Sequence, residues 1–402
     1  MHATQERSAT DKFSPLPVLA LASGHGTVDV YGSFLAPLFP LFADEFGLSL
    51  TLIGTLASIL TTADGLSQPL FGMWGDRMRR PWMATMAPLW VGAATGFLGW
   101  ATGYAMVAGL LVLAGTGRSV FHPQGAAGVA RYAGDRRGLA MSLFTAAGNM
   151  GFATGPLLAT AAIALGGIKG TMYVIPLGFM ISGLIFAVVF RDTGFRSVSW
   201  RPPPLRRVIE EIAEKKDAFL RLWLVVVLRS LTYFSLFTFL PMLFTRQGLS
   251  PVRTGIMVSL FLFGGATGGI VGGWLSDRLG EKKVIVVSLC AAFPALQLAL
   301  WSHGLEGVAL LILGGACLLA SAPVTVALAQ RYTTVSLATA SSLMLGLGWG
   351  VGGLLVTPIG FAADHLGTAW ALRLEVLSLI VAAVLALRLP LSGENPGAEE
   401  RG

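Results

Sequence analysis

Twelve apolar stretches, each of about 20 residues, follow one another along this chain. They lie near 17–42, 50–72, 82–101, 104–131, 139–166 and 171–190, then 219–245, 254–275, 283–302, 307–330, 337–361 and 370–389. Each is long enough to cross a hydrocarbon core of ~30 Å as an α-helix. In that medium every backbone amide must be paired internally. The expected fold class is therefore an all-α membrane protein with twelve transmembrane helices in two six-helix repeats. Composition agrees: 12% of residues are charged, against about 25% in soluble domains. The 51 glycines suit close helix packing in lipid. Residues 1–14 are polar, and the first apolar stretch is too long for a cleaved leader, so it is expected to remain as a span.

Cys290 and Cys317 both fall inside apolar runs, a pattern that implies neither a disulfide framework nor metal ligation. No nucleotide-binding loop, nucleophile–base set or His/Cys ligand spacing is evident. Neither an enzyme nor a resident cofactor or metal is expected.

The net charge of +7 is explained by where the charges fall. With both termini assigned to the cytoplasm, 22 of the 28 Lys and Arg residues lie on that side, and three, Lys169, Arg246 and Arg253, on the other. That excess follows the positive-inside rule and implies contact with anionic inner-leaflet lipid. Nucleic acid is not an expected partner. The expected location is the inner (plasma) membrane, multi-pass, with the protein a monomer.

The two halves repeat at an offset of about 200 residues. "GMWGDRMRR" (72–80) is echoed by "GWLSDRLGEKK" (273–283), Arg131-Tyr132 by Arg331-Tyr332, and Pro123 by Pro323. Residues 1–190 and 218–402 are read as the two halves. The charged, proline-containing stretch 191–217 is read as a cytoplasmic linker, with an amphipathic surface helix at Leu205–Ala218. Repeated six-helix units with a substrate site near the midplane are the architecture of a secondary transporter.

The loop at 72–80 resembles the G-x-x-x-D-R-x-x-R motif of the major facilitator superfamily through Gly72, Asp76, Arg77 and Arg80. Its second copy keeps Gly273, Asp277 and Arg278. Within that superfamily, "HGTVDVYGSFLAPLFP" (25–40), "QPLFGMWGDR" (68–77) and "SVFHPQGAAGVAR" (119–131) resemble the fosmidomycin resistance branch. The chain differs from that branch at Val28, where asparagine is usual, and in carrying Arg118. The resemblance implies that spans 1 and 4 line a central cavity opposite spans 7 and 10. It also implies that Asp76, Arg77, Asp277 and Arg278 act as an inter-helix charge lock, with Gly72 allowing a close approach. "GNMGFATGP" (148–156) partly matches the superfamily's antiporter motif through Gly151, Gly155 and Pro156.

A charge inside a span costs at least ~2.5–3.5 kcal/mol on insertion scales, so its default reading is functional, with a partner. His25, Asp29, Asp64, Arg118, His122 and Arg229 meet that description. At 1.5 Å per residue, Asp29 and Arg118 lie about 18–19 Å from the cytoplasmic span end, and His25, Asp64 and His122 about 12–13 Å, one turn away. His25 and Asp29 share a helix face, as do Arg118 and His122.

Two layers are thus expected, an Asp29–Arg118 ion pair and, one turn away, His25, His122 and Asp64. Asp29, His122, Asp64 and His25 are the candidates for proton coupling, since imidazole titrates near neutral pH. Bland alternatives stand beside these. The ion pair is also readable as structural, Asp64 as part of the gate, and His122 as bonded to a backbone carbonyl. Arg118 and Arg229 are the candidates for substrate anion recognition, because guanidinium matches carboxylate geometry. Tyr31, Tyr233 and Asn149 are further candidates for substrate contact. Arg373 and Glu375 are expected to snorkel near the outer end of span 12.

The function expected is secondary active, proton-coupled export of a small anionic or amphipathic organic compound by alternating access. Import of a monocarboxylate or similar metabolite is the alternative, and a transport-inactive membrane sensor is the alternative of another class.

Overall fold

A computed structural model describes residues 12–75, 80–192, 213–302, 304–332, 340–341 and 343–390. Among the described residues the regular structure is entirely helical. Ten of the helices among the described residues are long and apolar enough to cross a membrane. The two expected spans outside that count are the first and the third. The first, Pro15–Ser33, is thinned in hydropathy by His25, Asp29 and small polar residues. It continues through a 3-10 turn at Ala36–Leu38 into Phe39–Phe46. The third is an α-helix of only 15 residues, Trp82–Gly96, closed by a 3-10 turn.

The fourth, fifth and seventh spans are long single helices, Tyr104–Tyr132, Arg137–Gly166 and Lys216–Arg246. The second runs over Leu50–Trp74 and the eighth over Pro251–Leu279. The eleventh is broken into a π-helical segment, Leu343–Gly348, then Trp349–Leu354 and Val356–Leu366. The twelfth is Thr368–Val376 followed by Ser378–Leu387. Most of the linker expected at 191–217, with its surface helix at Leu205–Ala218, lies outside the described residues.

Two junctions make the internal repeat physical. Gly47 (φ 61°) and Gly248 (φ 82°) both take the left-handed conformation that ends a helix, where glycine meets no Cβ penalty. Two residues on, Ser49 and Ser250 each accept a hydrogen bond from the backbone N–H three residues later, those of Leu52 (3.3 Å) and Arg253 (3.5 Å). Such caps satisfy donors that every helix N-terminus leaves open.

Within the first half, span 1 packs on spans 4 and 5, and span 4 also packs on spans 2 and 3. In the second, span 10 packs on spans 8 and 9, and span 7 on spans 11 and 12. The halves meet where span 2 lies along span 11 and span 5 along span 8. Both described chain ends lie on one face: Ser14 N–H donates to the Tyr132 carbonyl (2.9 Å), and Arg221 Nη1 to the Arg388 carbonyl (2.9 Å).

On the opposite face the halves are fastened together. The Asp364 carboxylate accepts from the backbone N–H groups of Leu50 (2.7 Å) and Thr51 (2.9 Å) and from Thr51 Oγ1 (2.5 Å). Deeper in, Ser58 Oγ donates to the Gly353 carbonyl (2.9 Å). The outward surface carries exposed Leu165, Phe179, Ile270 and Leu305, as a lipid-facing shell requires. Near the face away from the termini, Lys169 lies over the Trp100 ring (4.9 Å) and Arg373 over the Trp301 ring (3.4 Å), so basic and aromatic groups form a belt there.

Candidate functional site

Spans 1, 2 and 4 bring five ionisable side chains to one point inside the first half. Arg118 Nη2 donates to Asp29 Oδ1 (2.9 Å) and stands 3.3 Å from Asp64 Oδ2. On the other side of Asp29, His25 Nε2 lies 3.2 Å from Oδ2. His122 Nε2 faces both carboxylates, 3.7 Å from Asp29 Oδ1 and 3.9 Å from Asp64 Oδ1. The two expected layers are therefore one cluster: Arg118 spans them, because its long side chain reaches a full turn along the helix axis. Two carboxylates share one guanidinium, and two imidazoles supply the remaining hydrogen-bonding capacity.

The His25 ring is fixed from behind. Its Nδ1 lies 2.8 Å from the Phe144 carbonyl, which accepts a hydrogen bond from that nitrogen, and Nε2 is turned toward Asp29. The ring stacks on Phe144 (centroids 4.1 Å) and meets His122 edge-on (5.1 Å). The backbone contact that was an alternative for His122 thus belongs to His25. Two glycines create the room. A Cβ on Gly32 would collide with the Arg118 guanidinium, and one on Gly148 with the His25 ring. Gly151 and Gly155 of the partial antiporter motif seat span 5 directly on the backbone of span 1. Nearby, Ser67 Oγ donates to Ser119 Oγ (2.7 Å) and Gln68 Nε2 to Asp64 Oδ1 (3.2 Å). These second contacts went unread because Ser and Gln are common on any helix face.

Other candidates sit elsewhere. Tyr31 is taken out of the site: its hydroxyl donates to the Val174 carbonyl (2.7 Å), and its ring packs beside Gly92. Two residues beyond Asp29 is about 200° around the helix, so its side chain points to spans 3 and 6. Asn149 is exposed, one turn from Phe152 on span 5. Arg229 is 1% exposed, and no described carboxylate pairs with it. Its guanidinium lies over the Trp349 ring (5.5 Å). Tyr233 touches Trp349 (5.6 Å) and Phe152 (6.3 Å), and Phe152 carries Arg118 over its ring (5.7 Å).

Glu375 corrects its reading. It is buried, with Oε1 accepting from Thr232 Oγ1 (2.8 Å) and Ser378 Oγ (3.1 Å). Arg373, two residues away, does reach the aromatic belt, as expected.

Comparison with known proteins names the architecture. The Major Facilitator Superfamily pattern matches residues 21–255 and 222–401, two overlapping matches that together cover most of the chain. The chain belongs to the major facilitator superfamily. It is 30% identical over 353 residues to the fosmidomycin resistance protein of Escherichia coli, covering 86% of each chain. It is 31% identical over 208 residues to the gallate transporter of Pseudomonas putida, covering 50% of this chain and 45% of that one. Its fold is shared with a bacterial homologue of the human lysosomal transporter Spinster, in an inward-facing, occupied conformation, with a TM-score of 0.79 at 16% identity. That match covers 95% of this chain and 100% of the other. The family is one of membrane transporters for small molecules, so the chain is a transporter and not an enzyme.

Of the superfamily's loop motif, Asp76 and Arg77 lie outside the described residues. Gly72 faces Pro123, where an added Cβ would sit at an ordinary 3.6 Å from the proline side chain, so this conformation does not require glycine for close approach. Arg80 lies over the Phe190 ring (5.3 Å). In the second copy Asp277 is exposed and Arg278 covers the Trp274 ring (3.9 Å). An ion pair that sequence reading missed joins Arg331 Nη2 to the buried Glu281 at 2.9 Å.

Proposed function

We propose that this superfamily member couples proton movement to the transport of a small organic anion by alternating access in the plasma membrane. The observation that carries this reading is the Arg118–Asp29 contact at 2.9 Å, flanked by two imidazoles. Arg118 cannot hold Asp29 tightly and a substrate anion equally well. A proton delivered through His122 or His25 to Asp29 neutralises the carboxylate and frees the guanidinium for the anion. Asp64, 3.3 Å from the same guanidinium, is the acceptor that keeps Arg118 oriented meanwhile. Proton and anion then load together and travel the same way, so an inward proton gradient drives uptake.

A second reading, export in exchange for protons, is favoured by the excess of two carboxylates over one guanidinium. A substrate whose donor-rich end took Asp29 or Asp64 would compete with protons, not join them. Similarity to a resistance protein over most of the chain supports that direction. The asymmetry of Lys and Arg supports cytoplasmic termini and contact with anionic lipid. Because one chain carries both repeats, we assign a monomer, with halves 1–190 and 218–402 moving about the linker.

The test is transport in proteoliposomes with Asp29→Asn. Substrate movement by this variant is expected to lose its dependence on an imposed pH gradient. If that dependence is unchanged, Asp29 has no part in coupling.

A further inference from the structure

The second half holds a cation that the coupling cluster does not use. Arg229 is the largest fully buried side chain of the described chain, and its Nε and Nη1 have no hydrogen-bond partner. No ion pair joins it to the buried Glu375, whose Oε1 accepts from the uncharged hydroxyls of Thr232 and Ser378 and whose Oε2 has no hydrogen-bond partner. Beside Arg229, the Trp349 indole Nε1 is also buried without an acceptor. Two unsatisfied donor groups, 5.5 Å apart measured from guanidinium carbon to ring centroid, thus lie next to one another inside the membrane. Burying an unpaired guanidinium is costly, and buried charges in spans mark functional sites by default.

Their surroundings are flat and apolar. Trp349 meets Tyr233 (5.6 Å), and Tyr233 meets Phe152 (6.3 Å), within the 4.5–7 Å range of favourable ring contacts. Phe152 in turn lies beneath Arg118 (5.7 Å). An aromatic row therefore runs from the unpaired guanidinium of one half to the coupling cluster of the other. Trp349 is also the first residue after the π-helical segment Leu343–Gly348. Such segments recur at functional sites.

We propose that Arg229, the Trp349 indole N–H and the Tyr233 and Phe152 rings form a substrate subsite for a planar aromatic carboxylate. The carboxylate accepts from Arg229 and Trp349, and the ring packs on Tyr233 and Phe152. This rests on the anion-transport reading above and supplies what that reading leaves open, the class of anion and its anchor in the second half. Arg229 then anchors the anion in the second half, and Arg118, once freed from Asp29, faces the same anion from the first.

The test is calorimetric titration of the purified full-length protein, without any gradient, using benzoate, acetate and benzamide as probes. Benzoate is expected to bind, with acetate and benzamide each at least about tenfold weaker, because one lacks the ring and the other the charge. Arg229→Gln is expected to weaken benzoate by about 10- to 100-fold, the worth of a charged hydrogen bond. Arg229→Lys should fall between, and Trp349→Phe, which keeps the ring but not the N–H, should lose severalfold.

The melting temperature of Arg229→Gln should equal or exceed that of the wild type, since an unpaired buried cation has been removed. A melting temperature that collapses instead makes Arg229 structural and overturns the subsite. So does benzoate affinity within twofold of wild type in Arg229→Gln, acetate binding as tight as benzoate, or no benzoate binding at millimolar concentration. Because binding is read without a gradient, these outcomes are independent of the Asp29→Asn transport result, which decides coupling alone.

Discussion

Arg118 reaches across from span 4 to place Nη2 2.9 Å from Asp29 Oδ1, and its guanidinium lies where Gly32 leaves no side chain. Both residues are more than nine-tenths buried. The contact therefore has a measurable interdependence. Arg118→Gln leaves Asp29 and Asp64 facing one another without their cation, at a cost of about 3–5 kcal/mol. Adding Asp29→Asn removes one of those charges and is expected to restore much of the loss. Unfolding of the single and double variants in detergent checks this. Additive losses would mean that the two side chains do not act as a pair.

Gly32 is expected to be as sensitive as the charges themselves. Its backbone is ordinary helix, so alanine introduces no backbone strain, but the new methyl would overlap the Arg118 guanidinium. Overpacking of this kind costs about 1–3 kcal/mol, and here it falls on a functional side chain. Gly32→Ala should keep its helical circular dichroism while losing most gradient-driven transport. Gly148→Ala, which overlaps the His25 ring, should behave alike. Full transport in either variant would show that the cluster tolerates displacement.

The sign of the pH effect separates the two directions of transport. If a proton on Asp29 frees Arg118, anion affinity rises as pH falls, by at most about tenfold per pH unit for one linked proton. Benzoate titrated between about pH 8 and 6 is expected to bind more tightly at the acid end, with proton uptake visible to an indicator dye in weak buffer. The opposite slope, tightest binding at the alkaline end, is what exchange with protons requires.

Much of the site was legible because lipid makes charges conspicuous. His25, Asp29, Asp64, Arg118 and His122 could be read from position alone, and helical rise put them in two layers one turn apart that the Arg118 side chain joins. Direction around the helix was harder: Tyr31 was a candidate for substrate contact, yet its side chain leaves toward span 6. Glu375 was read as interfacial because its depth alone did not reveal Thr232 and Ser378 waiting for it. Phe152 and Trp349 carried no signal, since an aromatic residue in a span looks the same whether it packs or lines a site. The repeat at Gly47 and Gly248 was not among the echoes read from the sequence, since a lone glycine acquires meaning only as one of two paired helix ends.

Asp364 supplies a last prediction, about the closure opposite the termini. Its carboxylate caps the N-terminus of span 2 from span 11, so it bridges the two halves with three hydrogen bonds. A negative charge there also complements the helix dipole. Under the alternating access proposed above, this contact breaks whenever that face opens. Asp364→Ala removes an N-cap worth about 1–2 kcal/mol, which corresponds to a shift of about 5- to 30-fold toward the form open on that face. The reporter is Thr55→Cys, 3.5 Å from Thr357 across the same seam, in a chain with Cys290 and Cys317 replaced by serine. Its labelling by a bulky polar maleimide is expected to accelerate severalfold when Asp364 is removed. An unchanged rate would mean that the cap stabilises span 2 alone and does not hold the halves together.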